Sequence, residues 1–122
     1  MWPSVGLLLS DDLIDSSRVT ATARSLGLTV KAAKTVEALE LLAAQSPPAC
    51  VLVDLSYPGL ALPDLMARLG ETCGRPPRVV AYGSHVDVAS LKAARAAGCD
   101  PVLPRSAFVE QLPNELKRWL SS

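Results

Sequence analysis

Short apolar runs alternate along the chain with stretches in which apolar residues recur every three or four positions. Strands buried on both faces read as continuous apolar runs, whereas a helix on a protein surface buries a single stripe. On these criteria the sequence predicts five strands, over residues 4–9, 28–33, 49–53, 78–82 and 101–103.

Five helices are predicted in the intervals after these strands. Gly27 and Gly98 are natural C-terminal stops for the first and fourth helices, and Thr35 can cap the second. Pro113 is expected to break or bend the last helix, because proline removes a backbone hydrogen bond. The predicted helices cover residues 13–26, 36 up to the Pro47-Pro48 pair, 63–71, 86–97 and 106–120.

This alternation predicts a three-layer α/β fold, because a parallel crossover between strands needs a helix and nearly always turns right-handed. We expect a single domain over residues 1–122, with a flavodoxin-like (βα)5 sheet in the strand order 2-1-3-4-5. In that order ligands bind beyond the carboxyl ends of the first and third strands. The candidate chemistry is therefore expected in the loops after Leu9 and Val53.

Three carboxylates follow those two strands: Asp11 and Asp12 after the first, and Asp54 after the third. Like charges brought together require raised pKa values or a bound cation. Mg²⁺ is the natural cation, because it prefers hard oxygen ligands and often bridges to phosphate. The alternative is that each aspartate only caps a helix or a turn, and Asp12 in particular stands where it can cap the first helix.

A metal ion beside an exposed carboxylate is suited to phosphoryl transfer, in which the carboxylate oxygen attacks in line. Asp54 would then become an aspartyl phosphate.

Charge and cysteine content narrow the function classes. Lys plus Arg equal Asp plus Glu at 12 each, which disfavours binding to nucleic acid or an anionic membrane. The three cysteines have no metal-site spacing, and no segment has the pattern of a signal peptide or membrane span. We therefore expect a cytoplasmic protein with reduced thiols.

With these residues in place, the chain resembles the receiver domains of two-component response regulators over essentially its whole length. LLLSDD at 7–12 looks like the family's first strand and acidic pair, and VLVD at 51–54 like its phosphoacceptor strand. DLSYP at 54–58 is similar to the turn after the acceptor, with Tyr57 in place of Met. AARAAGCD at 93–100 is similar to the passage from the fourth helix into the fifth strand.

The resemblance implies a signalling domain rather than a conventional enzyme. Asp54 would be the phosphoacceptor, with Mg²⁺ held by Asp11, Asp12 and Asp54. The phosphoryl donor would be a sensor histidine kinase or a phosphotransfer protein. A downstream protein would read the state on the face formed by the fourth helix, fifth strand and fifth helix.

The chain departs from the family pattern at its switch positions. Gly83 stands where receivers carry Thr or Ser, and Ser84, one residue later, either substitutes for it or belongs to an ordinary turn. Arg105 replaces the family's lysine, and it either grips phosphate or lies in solvent. Val102 replaces the aromatic residue that normally rotates with the Thr. These changes make the chain an atypical receiver.

Two alternatives remain open at this stage. The first is a phosphorylation-independent interaction domain, with Pro101, Pro104, Phe108 and Trp119 forming an apolar, stiffened edge. The second is a flavodoxin-like cofactor binder or small enzyme. The second is less favoured, because the first strand has no glycine-rich phosphate loop after it and the chain has few aromatic residues.

Overall fold

The structure, a computed structural model, describes residues 5–74 and 76–121. Ser4, the predicted first residue of the first strand, lies outside them. The described residues form one parallel sheet in the order β2-β1-β3-β4-β5, which confirms the predicted topology. Its strands are β1 Val5–Leu9, β2 Thr29–Ala33, β3 Cys50–Asp54, β4 Arg78–Gly83 and β5 Val102–Pro104.

A helix follows each strand. The Asp12 carboxylate caps the first helix and the Thr35 hydroxyl the second, so backbone N–H groups in each first turn have acceptors. The helices are α1 Leu13–Ser25, α2 Val36–Gln45, α3 Leu62–Cys73, α4 Val88–Ala96 and α5 Arg105–Ser121.

The fourth helix begins at Val88, two residues later than predicted. The Asp87 N–H donates to the Ser84 carbonyl at 3.0 Å, which closes a turn over the intervening residues. The Asp87 side chain then accepts from the N–H of Ser90 at 3.2 Å and caps the helix. The predicted start at Val86 was wrong because this turn and cap come after it.

Pro113 does not break the last helix, which runs unbroken from Arg105 to Ser121. Pro113 is exposed, whereas Leu112 and Leu116 are buried against the sheet. Tertiary packing on both sides of the proline therefore outweighs the loss of one backbone hydrogen bond.

Two apolar cores lie on opposite faces of the sheet. Residues of α2, α3 and α4 pack on one face, and residues of α1 and α5 pack on the other. Phe108 and Trp119 lie in the α1–α5 core, 2% and 0% exposed, so they do not form the surface edge that the sequence suggested. No helix within residues 5–74 and 76–121 is long and apolar enough to cross a membrane.

The alternation of side chains along each strand brings three polar groups to one place. Asp54 is paired with Tyr82 in the sheet register, and Ser10 follows β1 directly. These residues alternate in phase with Leu8, Leu52 and Val80, which belong to the α1–α5 core. The carboxyl end of the sheet therefore presents Ser10, Asp54 and Tyr82 between α1 and α5.

Candidate functional site

Asp54, the last residue of β3, is the centre of the site. It is 1% exposed, and both carboxylate oxygens have donors. The Ser10 hydroxyl donates to Oδ2 at 3.0 Å, and the Ser56 N–H donates to Oδ1 at 2.9 Å. A buried carboxylate needs such donors, because charge removed from water without hydrogen bonds is strongly unfavourable.

Arg105, the first residue of α5, reaches this carboxylate from across the sheet. Its Nη2 lies 3.2 Å from Asp54 Oδ1 and 3.2 Å from Ser56 Oγ. Its side chain is 34% exposed, and the guanidinium carbon lies 5.1 Å from the ring centroid of Tyr82, a cation–π contact. The sequence allowed Arg105 either to bind phosphate or to lie in solvent, and these contacts show that the second alternative is wrong.

Asp15 is a member of the site that the sequence analysis missed. It lies in the first turn of α1, is buried, and accepts a hydrogen bond from Nη1 of Arg105 at Oδ2. One sequence signal could have revealed it, because Asp15, Val19 and Ala23 recur at four-residue spacing and share the buried face of α1. An acidic residue on that face needs a buried cation or donor.

The carboxylates of the site raise the pKa values of Arg105 and Tyr82. Burial alone would lower the pKa of Arg105, but the hydrogen bond and charge of Asp15, with the charge of Asp54, raise it overall. Burial raises the pKa of Tyr82, and the carboxylates of Asp54 and Asp15 raise it further. Arg105 is therefore cationic and Tyr82 is a neutral phenol at physiological pH.

Tyr82 forms the floor of the site. It is fully buried, and its ring stacks on Phe108 with centroids 4.1 Å apart. Its hydroxyl oxygen lies 3.5 Å from Asp15 Oδ2, at the outer limit of a hydrogen bond. The Tyr82 ring thus contacts Arg105 in the pocket and Phe108 in the α1–α5 core.

The expected trio of Asp11, Asp12 and Asp54 is not gathered into one cluster. Within residues 5–74 and 76–121, no three His, Cys, Asp or Glu side chains are placed to hold a metal ion. Asp12 Oδ1 accepts from the N–H of Ile14 at 2.8 Å and of Asp15 at 3.3 Å, and Asp11 is exposed. The reason is the register of β1 and β3, which places Ser10, rather than Asp11 or Asp12, beside Asp54.

Ser84 belongs to the turn before α4, as one of its two sequence readings proposed. Its Oγ accepts from the N–H of Val86 at 3.4 Å. It also lines, with Arg105, an open cavity of about 500 Å³ between α1, α5 and the loop after β4. The other lining residues are Arg18, His85, Ser106 and Val109.

The end of β4 carries no hydroxyl, because Gly83 is its last residue. A side chain there would press on the segment after β3: a Cβ built on Gly83 lies 3.2 Å from Cβ of Leu55. That separation is tighter than ordinary van der Waals contact, so Leu55 and Gly83 fit each other as a pair.

No family model matches the sequence, and no curated protein matches it either. Solved structures do match. A response regulator from Thermotoga maritima is similar with a TM-score of 0.80 and 18% identity, over 99% of this chain and 100% of that one. The receiver domain of Ssk1 from Saccharomyces cerevisiae, solved with the histidine phosphotransfer protein Ypd1, is similar with a TM-score of 0.78 and 16% identity, over 97% and 89%.

A response regulator from Burkholderia pseudomallei, solved with a phosphorylated aspartic acid, a calcium ion and citrate, is similar with a TM-score of 0.75 and 19% identity. The match covers 98% of this chain and 67% of that one. At these identities the comparisons establish the fold. The chain therefore has the fold of response-regulator receiver domains, as its sequence resemblance predicted.

Proposed function

We propose that this chain is a receiver-type signalling module in which Asp54 accepts a phosphoryl group and Arg105 is the cation that attends it. The observation that carries the proposal is the contact between Arg105 Nη2 and Asp54 Oδ1, at 3.2 Å. It joins a carboxylate at the end of β3 to a cation at the start of α5. The similar structures from Thermotoga maritima and Burkholderia pseudomallei are response regulators, and the second of them carries a phosphorylated aspartic acid.

The proposed reaction transfers phosphorus from nitrogen to oxygen. A carboxylate oxygen of Asp54 attacks the phosphorus of a donor phosphohistidine, the P–N bond breaks, and the imidazole leaves and takes up a proton. Arg105 and the N–H of Ser56 are placed to offset charge on the phosphoryl oxygens. Because Asp54 is only 1% exposed and Arg105 contacts its Oδ1, the proposal requires the guanidinium to move from that oxygen to the phosphoryl oxygens as the donor approaches.

The expected Mg²⁺ ligands, Asp11, Asp12 and Asp54, do not fit a metal site as they stand. One carboxylate caps a helix, one is exposed, and the third has donors on both oxygens. We therefore derive no step through a metal ion. Binding of Mg²⁺ at these residues stays a prediction from the sequence.

The phosphoryl donor in this proposal is a sensor histidine kinase or a phosphotransfer protein, the class to which Ypd1 belongs. Leu13 and Ile14, each 69% exposed, directly follow the cap of α1 beside the site, and an apolar partner surface could cover them. For the downstream protein we propose the face formed by α4, β5 and α5. Val88, the first residue of α4, is 55% exposed, and Val86, in the turn before α4, is 75% exposed.

A second candidate function, a phosphorylation-independent interaction domain, is favoured by a different observation. Asp54 is closed off by three neighbours, and Gly83 replaces the Thr or Ser whose hydroxyl hydrogen-bonds the phosphoryl group in receivers. In this reading the fold is a docking surface, and the buried ion pairs only maintain its shape.

Phosphodonor treatment tests the first candidate. The protein is incubated with acetyl phosphate, with and without Mg²⁺, and its intact mass is measured. We expect the mass to rise by one phosphoryl group, and we expect no rise in Asp54→Asn. Asp64→Asn, a change to an exposed aspartate on α3, is the matched control and should be modified like the wild type.

An unmodified wild-type mass under both conditions, or equal modification of Asp54→Asn, would contradict phosphoryl transfer to Asp54. The second candidate would then be supported by a partner whose affinity is the same for wild type and Asp54→Asn.

A further inference from the structure

Two buried carboxylates and one guanidinium share the pocket between α1, β3 and α5. Asp15 is 7% exposed and Asp54 is 1% exposed, and they come from different elements. Burying a carboxylate is strongly unfavourable unless a cation or hydrogen-bond donors compensate for the lost water, and this pocket contains two such groups. A cation between the two carboxylates is therefore needed to stabilise the folded pocket.

Arg105 supplies that cation in a geometry that the compact ammonium group of a lysine could not match. Its Nη1 donates to Asp15 Oδ2, and its Nη2 donates to Asp54 Oδ1. A guanidinium carries donors in a fixed planar fork, which lets one side chain span two carboxylates. The ring of Tyr82 and the hydroxyl of Ser56 hold the same group in place.

Three of the four carboxylate oxygens of Asp15 and Asp54 already accept hydrogen bonds. Asp54 Oδ2 accepts from Ser10, and Asp54 Oδ1 accepts from both Ser56 and Arg105. Asp15 Oδ2 accepts from Arg105 and lies within reach of the Tyr82 hydroxyl. A divalent ion that bridged the two carboxylates would have to displace the guanidinium, which already bridges them.

We propose that Arg105 is the resident cation of this pocket: it takes the charge-balancing place of a divalent metal, and a divalent ion binds at Asp15 and Asp54 only when the guanidinium is absent. Asp15 is the positioning residue that draws Arg105 inward. The proposal concerns the resting pocket and does not require Asp54 to be phosphorylated.

Titration with Mn²⁺ tests the proposal on the intact chain, followed by paramagnetic broadening of the backbone amide signals of Ser10, Ser56 and Tyr82. We expect these signals to persist in the wild type at Mn²⁺ concentrations that broaden them in Arg105→Met, with an apparent affinity at least about tenfold tighter in the variant. Equal affinity in the two proteins would overturn the proposal.

Denaturant midpoints give a second, independent readout. Arg105→Met should lower the midpoint, because it leaves two carboxylates without their cation. Adding Asp15→Asn to that variant should restore part of the loss, because one negative charge is removed. Arg118→Met, which breaks an exposed pair with Glu115 on the same helix, is the matched control and should hardly move the midpoint.

If Asp15→Asn makes Arg105→Met worse rather than better, the arginine acts by packing and the proposal fails. Arg105→Lys covers the case in which the methionine variant does not fold. It keeps the charge but not the fork, so its midpoint should fall, and Asp15→Asn should restore part of that loss as well. Neither measurement uses a phosphodonor, so a negative phosphorylation result and a negative result here remain distinguishable.

Discussion

At the scale of single residues, Arg105 and Cys50 show how burial decides chemistry. Arg105 keeps its charge inside the protein because Asp15 and Asp54 accept its hydrogen bonds. Cys50, at the start of β3, is fully buried in the α1–α5 core, where a thiolate would be poorly solvated. Burial raises the pKa of the Cys50 thiol to about 12, although the charge of Arg78 opposes the rise.

The reactivity of Cys50 should follow from this shift. A rise from the ordinary thiol value of 9.0 to about 12 reduces the thiolate fraction at pH 8 about a thousandfold. In folded protein treated with iodoacetamide at pH 8, we expect peptide mapping to show Cys73, which is partly exposed, alkylated well before Cys50. Unfolded protein, in which both thiols titrate normally, is the control. Equal rates in the folded protein would contradict the prediction.

The site residues differ in how far the sequence could place them. Asp54 ends β3 and Arg105 directly follows β5, so strand order alone put them at one end of the sheet. Asp15 lies within a helix, where its direction depends on the rotation of α1 against the sheet. Ser10 was passed over because the two aspartates after it carried the resemblance. The register, which only the structure supplies, places Ser10 and not Asp11 beside Asp54.

At the scale of elements, the start of α1 is the feature with the largest consequence for function. Asp12 accepts from two backbone N–H groups of the first turn, and its own N–H donates to Ser10 Oγ at 3.1 Å. This arrangement fixes where the helix begins and therefore where Asp15 points. The cap role of Asp12 explains its position without a metal ion.

Substitutions at Asp12 separate the cap from a metal-ligand role. Asp12→Ala should lower the free energy of unfolding by about 1 kcal/mol, because two N–H groups lose their acceptor. Asp12→Asn keeps that acceptor and should cost no more than a few tenths of a kcal/mol. Urea unfolding measures both, with Asp11→Ala, at an exposed neighbour, as the control. If Asp12→Asn is as damaging as Asp12→Ala, the negative charge matters more than the cap.

Element identities were easier to predict than element ends. Apolar runs and helical stripes located all five strands and five helices within the described residues. The ends depended on hydrogen bonds that the pattern does not contain, such as the Ser84–Asp87 turn ahead of α4. The break that was one of the two outcomes expected at Pro113 did not occur for a related reason, because the local preference of proline was outweighed by burial of α5 on the sheet.

At the scale of the whole molecule, the chain is a sheet held between two apolar layers, and α5 closes one of them. The last turn of α5 brings Leu120, 1% exposed, against β1, and the neighbouring Trp119 is fully buried in the same core. Gly6, the second residue of β1, makes this approach possible. A Cβ built on Gly6 would lie 2.7 Å from Cδ2 of Leu120 and 3.2 Å from Cγ2 of Val30.

The contact between β1 and α5 therefore predicts a coupled pair of substitutions. Gly6→Ala should lower the free energy of unfolding by about 1–3 kcal/mol, because the added methyl group overpacks the core. Leu120→Ala should cost about 2–5 kcal/mol by leaving a cavity. In the double variant the new methyl group enters the space that leucine vacated, so the combined loss should be smaller than the sum of the single losses by at least about 1 kcal/mol. Guanidinium chloride unfolding of the four proteins measures this difference. Strict additivity would mean that α5 does not pack on Gly6 in solution, and Arg105, at the other end of the same helix, would then lack the support that holds it at Asp54.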